Sequence, residues 1–160
     1  MSLCTFCFGF LSTYVLVSGQ CQQGWLNHDE NCYFFSRDTL SWPEAMEMCI
    51  VQGGYLAEIE SEREGHFIET EIKVLGHNFW LGASDTIVEG EWVWETSKIE
   101  VSLTPYNKWW TGQPDNYGSA NCLAIHLVYN WVDEPCNLPK NFICKLGYNH
   151  TAIGGEVVVG

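Results

Sequence analysis

The chain has 160 residues, eight of them cysteine, and a formal charge of −13 from 7 Lys and Arg against 20 Asp and Glu. That size suits one domain with a real core, and the acidic balance argues against nucleic acid or an anionic membrane as a partner; it permits calcium without indicating it. The histidines, His28, His66, His77, His126 and His150, are scattered and none adjoins a nucleophile or a Gly-rich phosphate cradle, so the pattern does not point to an enzyme.

Leu3 to Val17 is an uncharged, almost unbroken apolar run, and Val17-Ser18-Gly19 supplies the small or apolar residues that a signal peptidase reads. Residues 1–19 are therefore expected to be a signal peptide, and the chain to be secreted and extracellular. The run is too short to span a bilayer and no later one is longer, so no membrane insertion is expected. Cleavage would leave roughly 141 residues and remove Cys4 and Cys7, which hold the only C-x-x-C spacing. Six cysteines remain: Cys21, Cys32, Cys49, Cys122, Cys136 and Cys144. In a secreted chain they read as three disulfides, for which spacing alone leaves about fifteen pairings.

Gln20 to Phe35, with two of those cysteines, reads as a short hairpin closed by its own bridge. Ser41-Trp42-Pro43-Glu44 is a capping box with proline in the first turn. Trp42, Ala45, Met46, Cys49 and Ile50 then share one face of a helix that Gly53-Gly54 ends. Tyr55 to Ile59 is a short extended link, and Ser61-Glu62-Arg63-Glu64 opens a second helix with a second capping box. Its apolar stripe is Phe67, Ile68, Ile72 and Leu75, its solvated face Glu62, Glu64, Glu69 and Glu71, and its stop Gly76. From Phe79 the pattern turns to short strands: Phe79 to Ala83, Glu91 to Glu95, Cys122 to Val128, Trp131-Val132 and Phe142 to Lys145. Trp42, Trp80, Trp92, Trp94 and Trp131 are expected in the core. The adjacent Trp109 and Trp110 must point to opposite faces. The unpatterned stretch from Thr96 to Asn121 is long enough to be functional, and it contains Gln113-Pro114-Asp115-Asn116.

Taken in order, Ser-Trp-Pro-Glu-Ala with Cys49, Leu56-Ala-Glu-Ile59 before the second helix, Trp80-Leu81-Gly82, Gln113-Pro114-Asp115, and Trp131 before Cys136 with Phe142-Ile143-Cys144 resemble the C-type lectin-like domain, from about Cys21 to Lys145. The resemblance implies an α+β fold over residues 20–146, with two helices, small antiparallel sheets and a long loop region bearing the site. It also implies the pairing Cys49–Cys144, Cys122–Cys136 and Cys21–Cys32, the last found in the longer form of the family. Residues 147–160 are left as a flexible C-terminal tail, where Asn149-His150-Thr151 is a sequon for N-glycosylation.

In sugar-binding members of that family, calcium is held by the polar residues around a cis proline, by a Glu before a core cysteine and by an Asn-Asp pair after the Trp, and vicinal sugar hydroxyls complete its shell. Gln113, Asp115 and Asp133 match. The Gln-Pro-Asp form implies galactose-type glycans as partners, and Tyr117 stands where a ring can cover the apolar face of galactose. Two positions depart from the family pattern. The expected Glu is missing, with Ala120 or Asn121 in its place, and the expected Asn is Val132, which would present a methyl group to the sugar. Asn130, two residues away on the strand, is about 6.6 Å off and too far to replace it. With Gln113, Asp115, Asn121 and Asp133 as its donors, the calcium site is expected to be weak, at or beyond the ~10⁻³ M end of extracellular modules. The function implied is a galactose or N-acetylgalactosamine lectin, and the alternative is a calcium-independent module that recognises a protein or glycan through the same loop. A homo-oligomer would gain from avidity, though the sequence contains no coiled coil.

Overall fold

The computed structural model describes residues 21–117 and 119–147; the segment 1–19, Cys4, Cys7, Asn149 and all but the first residue of the tail lie outside the described residues. The chain order is β1 (Leu26–His28), β2 (Asn31–Phe35), α1 (Trp42–Val51), β3 (Tyr55–Leu56), α2 (Glu62–Leu75), β4 (Phe79–Ser84), β5 (Val93–Trp94), β6 (Ala120–His126), β7 (Asn130–Pro135) and β8 (Asn141–Gly147). The strands make one mixed sheet in the order β1-β2-β8-β4-β6-β7, with β3 on β8 and β5 on β4. Every pairing is antiparallel except β4 with β8. This is the α+β architecture expected from the sequence, and the bridges are Cys21–Cys32, Cys49–Cys144 and Cys122–Cys136.

The central strands alternate between two cores because neighbouring side chains on a strand point to opposite faces. Phe79, Leu81, Leu123, Ile125, Trp131 and Ile143 pack on one face with Ile68 and Ile72 of α2. Trp80, Ala124, Val132, Phe142 and Cys144 pack on the other with Trp42, Ala45 and Cys49 of α1. All five tryptophans assigned to the core are buried. Two of them also satisfy their indole N–H groups: Trp42 Nε1 donates to Leu81 O at 2.8 Å and Trp80 Nε1 to Leu40 O at 3.1 Å.

Both helices begin at the serines expected to cap them. At α1, Glu44 Oε2 accepts from the Ser41 N–H at 3.0 Å and from its hydroxyl at 2.5 Å. At α2, Ser61 Oγ accepts from the Glu64 N–H at 3.2 Å, and Gly76 closes the helix with φ +76°. Three expectations are corrected. Ile50 and Leu75 are exposed, because the apolar stripe of each helix narrows near its end. The strand expected over Glu91 to Glu95 pairs only at Val93–Trp94. The largest difference is Glu64, expected on a solvated face but 5 % exposed. Its carboxylate meets the ammonium of Lys145 at 2.7 Å, the Tyr33 hydroxyl at 2.8 Å and the Glu60 N–H at 2.9 Å, so the second capping box is half formed. Glu69, on the same helix, accepts from the Tyr106 hydroxyl and from Asn130 Nδ2.

Tyr106 anchors the long loop to α2, and its ring lies flat over Gly65, where a Cβ would overlap it. Gly65→Ala gains about 1 kcal/mol of helix propensity but forces the ring away, at about 1–3 kcal/mol for overpacking. The expected result is a net loss of stability, read as a lower midpoint in urea, and an unchanged or raised midpoint would show that the ring moves freely.

Candidate functional site

β7 is the terminal strand of the sheet. Its bonds to β6 use one set of backbone groups and leave those of Trp131 and Asp133 facing outward, an edge that folded proteins cover. The long loop covers it. Trp131 N–H donates to Lys108 O at 3.0 Å, Trp110 N–H donates to Trp131 O at 2.9 Å, and Asp133 N–H donates to the Gln113 side-chain oxygen at 3.1 Å. Trp109 packs against the core and Trp110 projects outward, as two adjacent residues beside a strand must.

After the turn that Gln113 N–H closes onto Trp110 O, the Gln113–Pro114 bond is cis and the chain doubles back toward β7. Asp133, 6 % exposed, then collects the loop backbone. The Asp115 N–H lies 3.1 Å from both of its oxygens and the Asn116 N–H 2.6 Å from Oδ2. Gln113 Nε2 donates to Asp115 Oδ2 at 2.9 Å, and Tyr117 N–H donates to Asp115 Oδ1 at 2.9 Å. Gln113, Asp115 and Asp133 thus form one hydrogen-bonded unit across the proline, and the Tyr117 ring beside it is 85 % exposed.

The other positions behave differently. Val132 is buried in the α1-side core, so it does not present a methyl group to a ligand and that expectation is corrected. Asn130, with φ +62°, turns to Glu69 on α2. Asn121 has no hydrogen bond to the unit; its carbonyl accepts from the Asp85 N–H at 3.3 Å. Its Oδ1 and the Asp85 Oδ1 are both buried without a hydrogen-bond partner. The other Asp85 oxygen accepts from the Gly90 N–H at 2.9 Å. Sequence reasoning missed Asp85. The available signal was a lone carboxylate at the end of the apolar strand Phe79–Ser84.

Calcium takes six to eight oxygens, each offering a free lone pair. A carboxylate offers about four and an amide oxygen two. The internal bonds leave about four free across Gln113 Oε1, Asp115 and Asp133. Oxygens of this kind and number suit at most a weak calcium site, whose shell a ligand's own oxygens would have to complete. Among the described residues no three His, Cys, Asp or Glu side chains converge, and two of the four expected donors are amides.

A family model described as Lectin C-type domain matches residues 38–146. The chain belongs to the C-type lectin domain family. It is 34 % identical to a perlucin-like protein of Mytilus galloprovincialis over 147 residues, which covers 84 % of this chain and 92 % of that protein. With the galactose-specific lectin nattectin of Thalassophryne nattereri it shares 33 % identity, covering 79 % of this chain and 80 % of the other. C-type lectin domain family 10 member A of Homo sapiens is 32 % identical, but the match spans only 42 % of that longer protein. Among solved structures, the mouse scavenger receptor C-type lectin carbohydrate-recognition domain superposes with a TM-score of 0.73 at 30 % identity, covering 79 % of this chain and 96 % of that one. No described helix of this C-type lectin domain is long and apolar enough to cross a membrane.

Proposed function

We propose that this C-type lectin domain is a secreted carbohydrate-binding lectin that takes terminal galactose or N-acetylgalactosamine at Gln113, Asp115 and Asp133, with Tyr117 against the sugar. The observation that carries the reading is the locking of Gln113 and Asp115 to Asp133 across the cis proline, which holds the three side chains together before a ligand arrives. Preorganisation of that kind lowers the ordering cost of binding. Gln113, Asp115, Asp133 and Asn121 would hold calcium, which when bound supplies a charge for two neighbouring sugar hydroxyls to coordinate. The Tyr117 ring covers the apolar C–H face of the sugar, and its backbone bond to Asp115 keeps it beside the donors. The role is binding, without catalysis. One relative is named as galactose-specific, in keeping with the Gln-Pro-Asp motif. The three bridges suit an oxidising, extracellular setting, and the reading includes cleavage after Gly19, a domain over residues 20–146 and glycosylation of Asn149 in the tail.

The hydrogen bonds that spend much of the Asp115 and Asp133 carboxylates also favour a second reading, in which the loop keeps its shape by itself and recognises a protein or glycan without calcium. Calcium titration by calorimetry, alone and with galactose present, separates the two. The first reading expects saturation near ~10⁻³ M, tightened by galactose and lost in Asp115→Ala. Absence of heat in both titrations, with glycan or protein capture unaffected by EGTA, would establish the second.

A further inference from the structure

Beside the donor set lies an aromatic surface to which the galactose site assigns no role. Trp110 is 45 % exposed, the Tyr129 ring meets it edge-on at 5.3 Å, and the His126 ring tilts against Tyr129 at 6.1 Å. Core packing does not demand Trp110, since its neighbour Trp109 fills that role. An exposed Trp against an exposed Tyr leaves adjoining apolar ring surface in water, of the kind that binding surfaces use.

Position ties this surface to the sugar site. Gln113 N–H donates to Trp110 O at 2.8 Å, so the two residues end a single turn and their Cα atoms lie within about 7 Å. Trp110 is also bonded through its N–H to Trp131, two residues from Asp133. The polar member of the group is held in place: His126 Nε2 lies 2.5 Å from Glu134 Oε1, and Glu134 Oε2 lies 2.8 Å from Lys140 Nζ. Flat apolar rings with a fixed polar rim match a pyranose, which has a C–H face and a hydroxyl edge. With Tyr117 the donor unit has exposed aromatic groups on both of its chain flanks, enough for more than one sugar ring.

We infer that Trp110, Tyr129 and His126 form a second carbohydrate subsite, which stacks the sugar next to the one held at Gln113, Asp115 and Asp133, so that the ligand is the end of an oligosaccharide. This rests on the galactose-site reading. The test is calorimetry of the full chain in calcium with free galactose and with a linear galactose-terminated tetrasaccharide, on the parent, Trp110→Ala, Trp110→Phe and Asp115→Ala. The parent is expected to bind the tetrasaccharide about five- to tenfold more tightly than galactose, as one or two aromatic contacts allow. Trp110→Ala brings that ratio to about one, Trp110→Phe restores most of it, and Asp115→Ala loses both ligands. A ratio near one in the parent, or a ratio unchanged in Trp110→Ala, overturns the subsite while galactose binding still stands. Failure of the parent to bind either ligand overturns the galactose-site reading and the subsite with it.

Discussion

Replacing Cys49 and Cys144 together by alanine is expected to remove about 4–5 kcal/mol of stability, against about 3 kcal/mol for the pair Cys122 and Cys136. The difference follows from the length of chain each bridge closes: a sequence separation of 95 in the first case and 14 in the second. A long closed loop takes more conformations away from the unfolded chain than a short one. Cys49 and Cys144 are also fully buried between α1 and β8, so alanine leaves a void there. A loss of that size approaches the whole stability of a domain of this length. Guanidinium unfolding of the two double variants measures both, and a larger loss from the short bridge would refute the chain-length argument. The two variants should also differ in what else they disturb. Cys122 lies on β6 and Cys136 just past β7, so loss of their bridge loosens the hairpin that carries Asp133 and should weaken ligand binding before it unfolds the domain.

Most of the frame was legible because it depends on local rules. The Ser41 cap with Glu44, the Gly76 stop and the apolar run Phe79 to Ala83, buried along its whole length, are set by residues within a few positions of each other. The disulfide pairing was not local, and it became readable only through the family resemblance. The same resemblance led to Gln113, Asp115 and Asp133, which the fold does bring together. The rest depended on partners far away in sequence. Glu64 lies four residues before Ile68 and eight before Ile72, on the buried stripe of α2, but a carboxylate reads as solvated, and it is Lys145, eighty-one residues later, that offsets the cost of its burial. Val132 was read as a failed ligand because it stands where the family resemblance places an Asn; strand alternation sends its side chain into the α1-side core instead. Asp85 and Asn121, each with an orphaned side-chain oxygen, are joined through their backbones at the end of the β4–β6 pairing, past a register shift that no local pattern announces.

Lys145→Met is expected to cost about 3–5 kcal/mol, although methionine is apolar and fits the space of the lysine stem. The Lys145 side chain is 1 % exposed, and its ammonium touches Glu60 at 2.6 Å, Glu64 at 2.7 Å and the Glu58 carbonyl at 3.1 Å, with the Tyr33 ring beneath it at 6.0 Å. These contacts fasten β8, the link from Leu56 to Glu60 and α2 at one point. Removing the cation leaves Glu64 as a buried carboxylate with only two neutral donors, which is the costly way to break an ion pair. Adding Glu64→Gln removes the stranded charge, so the double variant should recover part of the loss; simple addition of the two losses would mean that the groups are not coupled. The cluster also has a pH signature. Burial pushes the Lys145 ammonium down, but the carboxylates of Glu64 and Glu60 outweigh it and hold it above its ordinary 10.5. Burial and Glu64 raise the Tyr33 phenol, and burial pushes Tyr55 up to about 12. All three keep their protons to higher pH when folded than when unfolded, so their contribution is complete below about pH 10 and is lost as pH rises through the folded values. The urea midpoint should therefore fall between about pH 10 and 12, and less steeply in Lys145→Met, where one of the three protons is gone. A parent midpoint that stays level across that window would show that the cluster does not couple protonation to folding.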